Sequence, residues 1–276
     1  MYYFNKPSVP EISKSLDITK SLAIDFSFHE YGSQRIRDNV AKSEGVFTNV
    51  VTWFRDRYGY GVDVNANTEY IKCETLTANQ VLPTPQVTVE VIYTRDTGGS
   101  GTGYGALVFK KKGTADTGDR IWNIENDNAS AGWGVAWQYW FSTQLGIWST
   151  PYPSAGALNH DIIRHDASST ANNPTWWRNG AALTVTKRLS PSGTARTDGK
   201  NIYIGNNSTA YTSGWDGKVY LVRVWNRILS NAEVYDLYKD PNCIYKKQTV
   251  LGKAAAAVGT VVKDIIGGFG FIPAPR

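Results

Sequence analysis

Cysteine, methionine and histidine are nearly missing from this chain: its 276 residues hold two cysteines, one methionine and three histidines. Two cysteines are too few for a disulfide scaffold. Cys73 and Cys243 are left as two partly buried thiols or as one bridge. Neither belongs to a C-x-x-C unit, and the histidines do not cluster. His29 stands alone, while His160 and His165, five residues apart, fall on opposite faces of a strand. Nothing in this pattern supports a zinc site. Serine nucleophile elbows and phosphate loops are absent too. The glycine run Gly98–Gly105, "GGSGTGYG", leads into a strand and so lacks the helix N-terminus that makes such loops hold phosphate. It reads as a hairpin loop. The chain also has no uninterrupted apolar run of about 20 residues, so no membrane insertion is expected. Its first twenty residues show neither a basic nor an apolar segment of a secretory signal, so no signal peptide is expected.

What is present is aromatic and β-branched. Ten tryptophans, with Val, Ile, Thr, Tyr and Phe, recur in short runs separated by Gly, Asn, Asp and Pro. That is the pattern of strands and turns. One segment reads differently. After the Gly214–Gly217 turn, "KVYLVRVWNR" alternates as a half-buried strand through Val219, Leu221 (less cleanly), Val222 and Val224. Ser230 then opens a capping box with Glu233, Leu229, Glu233 and Leu237 follow at helical spacing, and Pro241 ends the run. The expectation is an all-β fold, a two-sheet antiparallel β-sandwich with one short C-terminal helix. Such sandwiches can form one unit of roughly 200–250 residues. Residues 19–240 fit that unit, leaving an arm at 1–18 and a tail at 241–276.

Four segments in order resemble the LamG-like family, the concanavalin A-like jelly rolls of laminin G and pentraxins. "SLAIDFSFHEYGSQRIRD" resembles the family's opening strand, with Phe26, Phe28, Glu30 and Asp38 in corresponding places. "RYGYGVDVNANTEYIKC" resembles its "GxFGxALxFDGxxDYVxV" strand pair, and "PTWWRNGAAL" its Asn-Gly hairpin. The run from Asp216 through Arg223, Trp225, Asn226, Arg227 and Tyr238 resembles "DGxIDEVRIYNRALSxxEIxxLYxxP". The family's "WHHVAxTYD" strand is poorly kept in "NHDIIRHDAS". The resemblance implies a jelly roll. No cofactor is expected; the resemblance makes calcium the one ion to consider at the rim, with Asp63, Asp127 and Asp216 as candidate carboxylates, although no loop is dense in Asp. The ending, "LYKDPNCIYKK" and "FIPAPR", resembles that of LamG-like virion proteins of tailed bacteriophages, although the aromatic usual there after "NP" is missing. That similarity implies a non-enzymatic capsid decoration or tail protein. Its partners would be other virion proteins, including the major capsid protein, copies of itself, and host-surface glycans.

Three further sets of residues carry chemistry. Flat aromatic faces bind sugars, and Trp133, Trp137, Trp176 and Trp177, with Trp148, are the candidates. Most tryptophans in a sandwich belong to the core. Trp176 and Trp177 are adjacent, though, so one of them points away from it. A retaining glycosidase needs two carboxylates about 5–5.5 Å apart. Glu125 and Asp127 make the nearest such pair, but the third carboxylate of the sandwich glucanases is missing. Finally, Val258, Val261, Val262, Ile265, Ile266, Phe269, Phe271 and Ile272 form an apolar tail that packs either on its own domain or on another subunit. Lys and Arg number 29 against 24 Asp and Glu, for a net charge of +5. Lys110–Lys112 is the only dense basic run, and no aromatics interleave with it, so nucleic acid is not an expected partner.

Overall fold

A computed structural model describes residues 11–13, 16–28, 32–49, 51–65, 68–73, 76, 84–96, 100–101, 105–111, 120–126, 132–197, 199, 201–206 and 213–245. In chain order the strands begin β1 (Leu22–Phe26), β2 (Arg35–Arg37), β3 (Glu44–Thr48), β4 (Thr52–Asp56), β5 (Gly59–Val64) and β6 (Tyr70–Cys73). They continue β7 (Gln86–Tyr93), β8 (Ser100–Gly101), β9 (Gly105–Lys111), β10 (Arg120–Asn126), β11 (Val135–Tyr139) and β12 (Gly146–Thr150). Last come β13 (Asn159–Asp166), β14 (Thr175–Arg178), β15 (Ala181–Leu183), β16 (Thr186–Leu189), β17 (Asn201–Ile204), β18 (Ser213–Gly214) and β19 (Gly217–Trp225). One α-helix, α1 (Asn231–Lys239), follows β19.

These strands form two sheets. The first runs β15-β14-β13-β7-β19-β5-β4, with β1 also on β19. The second runs β16-β12-β11-β10-β9-β17-β6-β3-β2, with β8 and β18 at its margin. Pairing is antiparallel apart from the single β18–β9 contact. The expected two-sheet β-sandwich is what the chain forms.

Alternation explains the core. Val87, Val89, Val91 and Tyr93 of β7 point inward with Val222 and Val224 of β19, against Trp122, Ile124, Trp137, Tyr139 and Trp148 of the second sheet. Each such burial contributes about 1.5–3 kcal/mol. In β19 the register shifts between Val219 and Leu221. This bulge puts both Tyr220 and Leu221 on the outer face, in a cluster with Ile92. It is the reason the alternation reads less cleanly there.

The outer face of the first sheet is covered at one end by α1. Ser230 accepts from Glu233 N–H and the Glu233 side chain reaches back to Ser230 N–H, completing the capping box. Arg227 and the cap hydrogen bonds hold the Glu233 carboxyl down at about 2. Val234 and Leu237 pack on Ile162, Trp225 and Leu229. Ile244 and Tyr245 join that cluster, Ile12 bridges to Tyr245, and Ser13 N–H donates to Ile244 O at 2.8 Å. The packed unit therefore includes part of both segments that the sequence reading set aside as arm and tail.

Candidate functional site

The structure separates the sequence-predicted tryptophans. Trp137 and Trp176 are closed off in the core and cannot take a ligand. Trp137 donates Nε1–H to His165 Nδ1 (3.1 Å) and stacks on Trp122, while Trp176 donates to Asp161 (2.9 Å). Trp148 is likewise buried and donates to Asn173. Trp177 does point away from the main core, as adjacency requires, but it lies against the α1 cluster with Arg164 5.9 Å from its ring. Trp133 is half-buried before β11, with Arg188 over its ring at 5.7 Å. These residues do not converge. Glu125 accepts from Asn123 (2.6 Å) and from Gln138 on the second sheet. Asp127 and the tail residues Val261, Val262, Ile265, Ile266, Phe269, Phe271 and Ile272 lie outside the described residues. Cys73 and Cys243 are not bridged to each other.

A cavity of about 480 Å³ opens instead on the outer face of the first sheet, lined by Asp56, Arg57, Tyr58, Thr94, Asp96, Gly156, Lys218 and Tyr220. Four separated segments build it, one of them only through Gly156, whose N–H donates to Arg95 O at 2.8 Å. The first is the β4–β5 hairpin tip. Asp56 accepts Tyr58 N–H (2.8 Å), fixing the turn, and takes the Tyr220 hydroxyl (2.8 Å) and the Lys218 ammonium (3.5 Å) on its other oxygen. Tyr220 packs edge-on against Phe54 and Tyr58, with ring centroids 5.1 and 6.1 Å away. Burial and the Asp56 bond push its phenol upward, so it stays a hydrogen-bond donor. Arg57 lies over the Tyr58 ring at 4.7 Å.

The second and third segments are the end of β7 and the start of β19, joined like a seam. Trp215 Nε1–H donates to Thr94 O (3.0 Å), Thr94 N–H to Lys218 O (2.8 Å), and Asp96 N–H to Asp216 O (2.9 Å). Gly217 has φ of +142°, and a Cβ there would run into Thr94 O. The Gly-Trp-Asp-Gly turn thus sets Asp96 and Lys218 at the pocket mouth. Burial, then the carboxylates of Asp216 and Asp63, raise the Asp96 carboxyl. Asp63 stands on the same face, cross-strand from Lys218. So the structure does gather two of the three expected rim carboxylates around Asp96. Among the described residues, however, no three His, Cys, Asp or Glu side chains converge closely enough to hold a metal.

Sequence reasoning missed Asp56, Tyr58, Asp96, Lys218 and Tyr220. The signal available was local: "FRDRYGYG" alternates charge and aromatic across a hairpin turn. Nothing in it names Asp96 or Lys218 as neighbours.

No protein-family model and no curated protein matches the sequence. Solved structures match at the level of fold. A Trypanosoma rangeli sialidase in complex with sialic acid is 15% identical, with TM-score 0.59, over 83% of this chain and 34% of that one. The chain thus spans about a third of the sialidase. The ligand-binding domain of botulinum neurotoxin serotype D, in complex with N-acetylneuraminic acid, is 12% identical with TM-score 0.60, covering 80% of this chain and 51% of that one. Domain 4 of an extracellular arabinanase from Geobacillus stearothermophilus, in complex with arabinotriose, is 14% identical with TM-score 0.54. That match covers 79% of this chain and 98% of the domain. These likenesses correct the expectation of a non-enzyme. The fold is shared with sialidases as well as with ligand-binding domains, so it does not set the chain apart from enzymes.

Proposed function

We propose that the chain is a carbohydrate-binding β-sandwich and that its glycan occupies the Asp56–Asp96–Lys218 pocket. The observation that carries this reading is the chemistry of the lining. Carboxylates and cations that can accept from and donate to neighbouring hydroxyls stand beside the rings of Tyr58 and Tyr220, which suit the C–H faces of a sugar. The fold likeness to three carbohydrate-complexed proteins supports it, most directly the arabinanase domain matched over nearly its whole length. Titration of the full chain with arabino-, gluco- and galacto-oligosaccharides, with and without calcium, tests the reading. Tyr58→Ala is expected to weaken binding at least tenfold, because it removes a wall of the pocket. Trp177→Ala is expected to leave affinity within twofold. Equal binding by wild type and Tyr58→Ala would move the glycan elsewhere. For the chain as a whole we keep the role that the sequence resemblance implies, display on a virus particle. Its mass in purified particles is the test.

A further inference from the structure

We infer that a second pocket, at the opposite end of the first sheet's outer face, binds a sugar acid, with the carboxylate on Arg164 and the ring hydroxyls on Asn172 and Asp166. The inference does not depend on the glycan reading of the first pocket.

The cavity holds about 540 Å³, and its lining includes Arg164, Asp166, Asn172, Asn173, Thr175 and Ile228. Cavities of about 300–1,000 Å³ suit small ligands. Strands β13 and β14 place it. Arg164 pairs across from Thr175 and follows Ile162 by one alternation, so it shares the outward face that Ile162 presents to α1. Gln86, at the start of β7, donates to Asp166 (3.2 Å), whereas the first pocket opens at Thr94, just past the end of that strand.

Arg164 is the cation of this cavity, and it is held without being neutralised. Its Nε donates to Thr175 Oγ1 (3.0 Å) and its Nη1 to Leu229 O (2.8 Å), both uncharged acceptors. Three of its five N–H groups remain, both of Nη2 among them. The Trp177 ring, 5.9 Å from the guanidinium carbon, leaves that edge open. Burial lowers the pKa of Arg164, and no carboxylate offsets the effect. A half-buried cation with only neutral acceptors is stabilised by an incoming anion.

The rest of the lining sorts into donors for a carboxylate and acceptors for hydroxyls. Asn173 Oδ1 accepts Trp148 Nε1–H (2.9 Å). A tryptophan can only donate, so this bond fixes the amide and leaves the Asn173 NH2 group to donate. Thr175, which accepts from Arg164, keeps its hydroxyl proton to give. Asn172 Nδ2 donates to Asp166 O (2.8 Å), which leaves Oδ1 to accept. Asp166 is the one carboxylate of the lining, and it is not paired with Arg164. The Ser168 hydroxyl, with Ser168 N–H and Gln86, holds its carboxyl below the usual range, so it stays an acceptor. Arg227 and Glu233, the nearest charges along the chain from Ile228, pair with each other. Ile228 itself gives an apolar wall for the C–H face of a ring. The loop carrying Asn172 and Asn173 is fastened from the core, by Trp148 and by His165 Nε2, 3.4 Å from Asn172 O. Such a preformed wall cuts the ordering cost of binding.

The full chain is titrated by NMR with glucuronic acid, glucose and inorganic phosphate, following the Arg164 Nε–H and Asn173 NH2 resonances. Glucuronate is expected to shift both, and to bind at least tenfold tighter than glucose or phosphate, since it alone has both the anion and the ring. Arg164→Gln is expected to weaken glucuronate at least tenfold, the usual scale of a lost charge-assisted hydrogen bond. Asn173→Asp keeps an oxygen for Trp148 but turns the ligand's donor into a carboxylate. It is expected to weaken glucuronate at least tenfold while unfolding in urea stays near wild type. Glucuronate binding that survives both substitutions overturns the inference. Phosphate binding as tightly as glucuronate would make this a bare anion site and overturn the sugar. If glucuronate instead shifts Tyr58 and Lys218 while Arg164 and Asn173 stay still, the acid lies in the first pocket. The inference then falls and the glycan reading stands.

Discussion

His165 and Asp38 are buried titrating residues whose effects on stability oppose each other. His165 sits in the tryptophan-lined core and accepts the Trp137 N–H on Nδ1, so the ring is neutral with its proton on Nε2. Burial pushes its pKa down to about 4. Between its ordinary value of about 6.5 and 4, the unfolded chain binds a proton that the native one refuses, so stability falls as pH falls through that window. Asp38 accepts three backbone N–H groups, from Asp25, Val40 and Ala41, yet burial still raises its carboxyl to about 6. Between pH 6 and 3.8 the native chain binds the extra proton, so this residue makes stability rise as pH falls. From pH 6 to about 4.5 the two slopes oppose. Glu233, held at about 2, begins to matter only below that range. His165→Phe removes the opposing slope and leaves that of Asp38. Urea unfolding from pH 4.5 to 6.5 is then expected to show a variant that gains stability on acidification relative to wild type. Parallel pH curves would mean that His165 takes up its proton as readily in the native chain as in the unfolded one.

At the scale of elements, α1 was legible in the sequence down to its first residue. Ser230 and Glu233 form the reciprocal cap that the spacing announces, and Leu237 packs where the periodicity puts it. Ser230→Ala is expected to cost about 1 kcal/mol in chemical denaturation, the usual value of such a cap. A loss below roughly 0.3 kcal/mol would show that Arg227–Glu233 holds the helix without the cap. The hairpin at Asn179-Gly180, both with positive φ, and the opposed faces of Trp176 and Trp177 were legible for the same reason: each depends on residues next to one another. The pocket was not. Lys218 meets Asp63 and Asp56 only because β19 pairs with β5, and meets Thr94 only because it also pairs with β7. Those pairings join segments more than a hundred residues apart, and strand alternation says which face a side chain takes, never which strand lies beside it. The tryptophans misled for a related reason. "WGVAWQYW" alternates correctly, but the alternation does not say which of the two faces is the core.

At the scale of the whole molecule, the described packing continues past Pro241. Arg223, fully enclosed, donates to Asp25 (2.8 Å) and Glu90 (3.1 Å), and also to Pro241 O (2.7 Å) and the Tyr245 hydroxyl (3.1 Å). The Tyr245 hydroxyl in turn donates to Asp25 at 2.8 Å. One cation is thus shared by three strands of the first sheet and by the chain after α1, and His160 extends the network from β13 through Glu90. Two buried carboxylates around one guanidinium are stable only while the remaining hydrogen bonds are made. Residues 241–245 make two of them, and Ile244 closes the apolar cluster above. A chain ending at Lys239 therefore loses Ile244 burial, about 1.5–3 kcal/mol, and strips two partners from a buried arginine, each costing about 1 kcal/mol or more. It is expected to be at least about 3 kcal/mol less stable in urea. The single substitution Tyr245→Phe should reproduce the hydroxyl's share of that loss, about 1 kcal/mol, while Pro241 O and the apolar part stay in place. Full stability in the chain ending at Lys239 would place the domain boundary at the end of α1 and reduce the Arg223 network to its three strands.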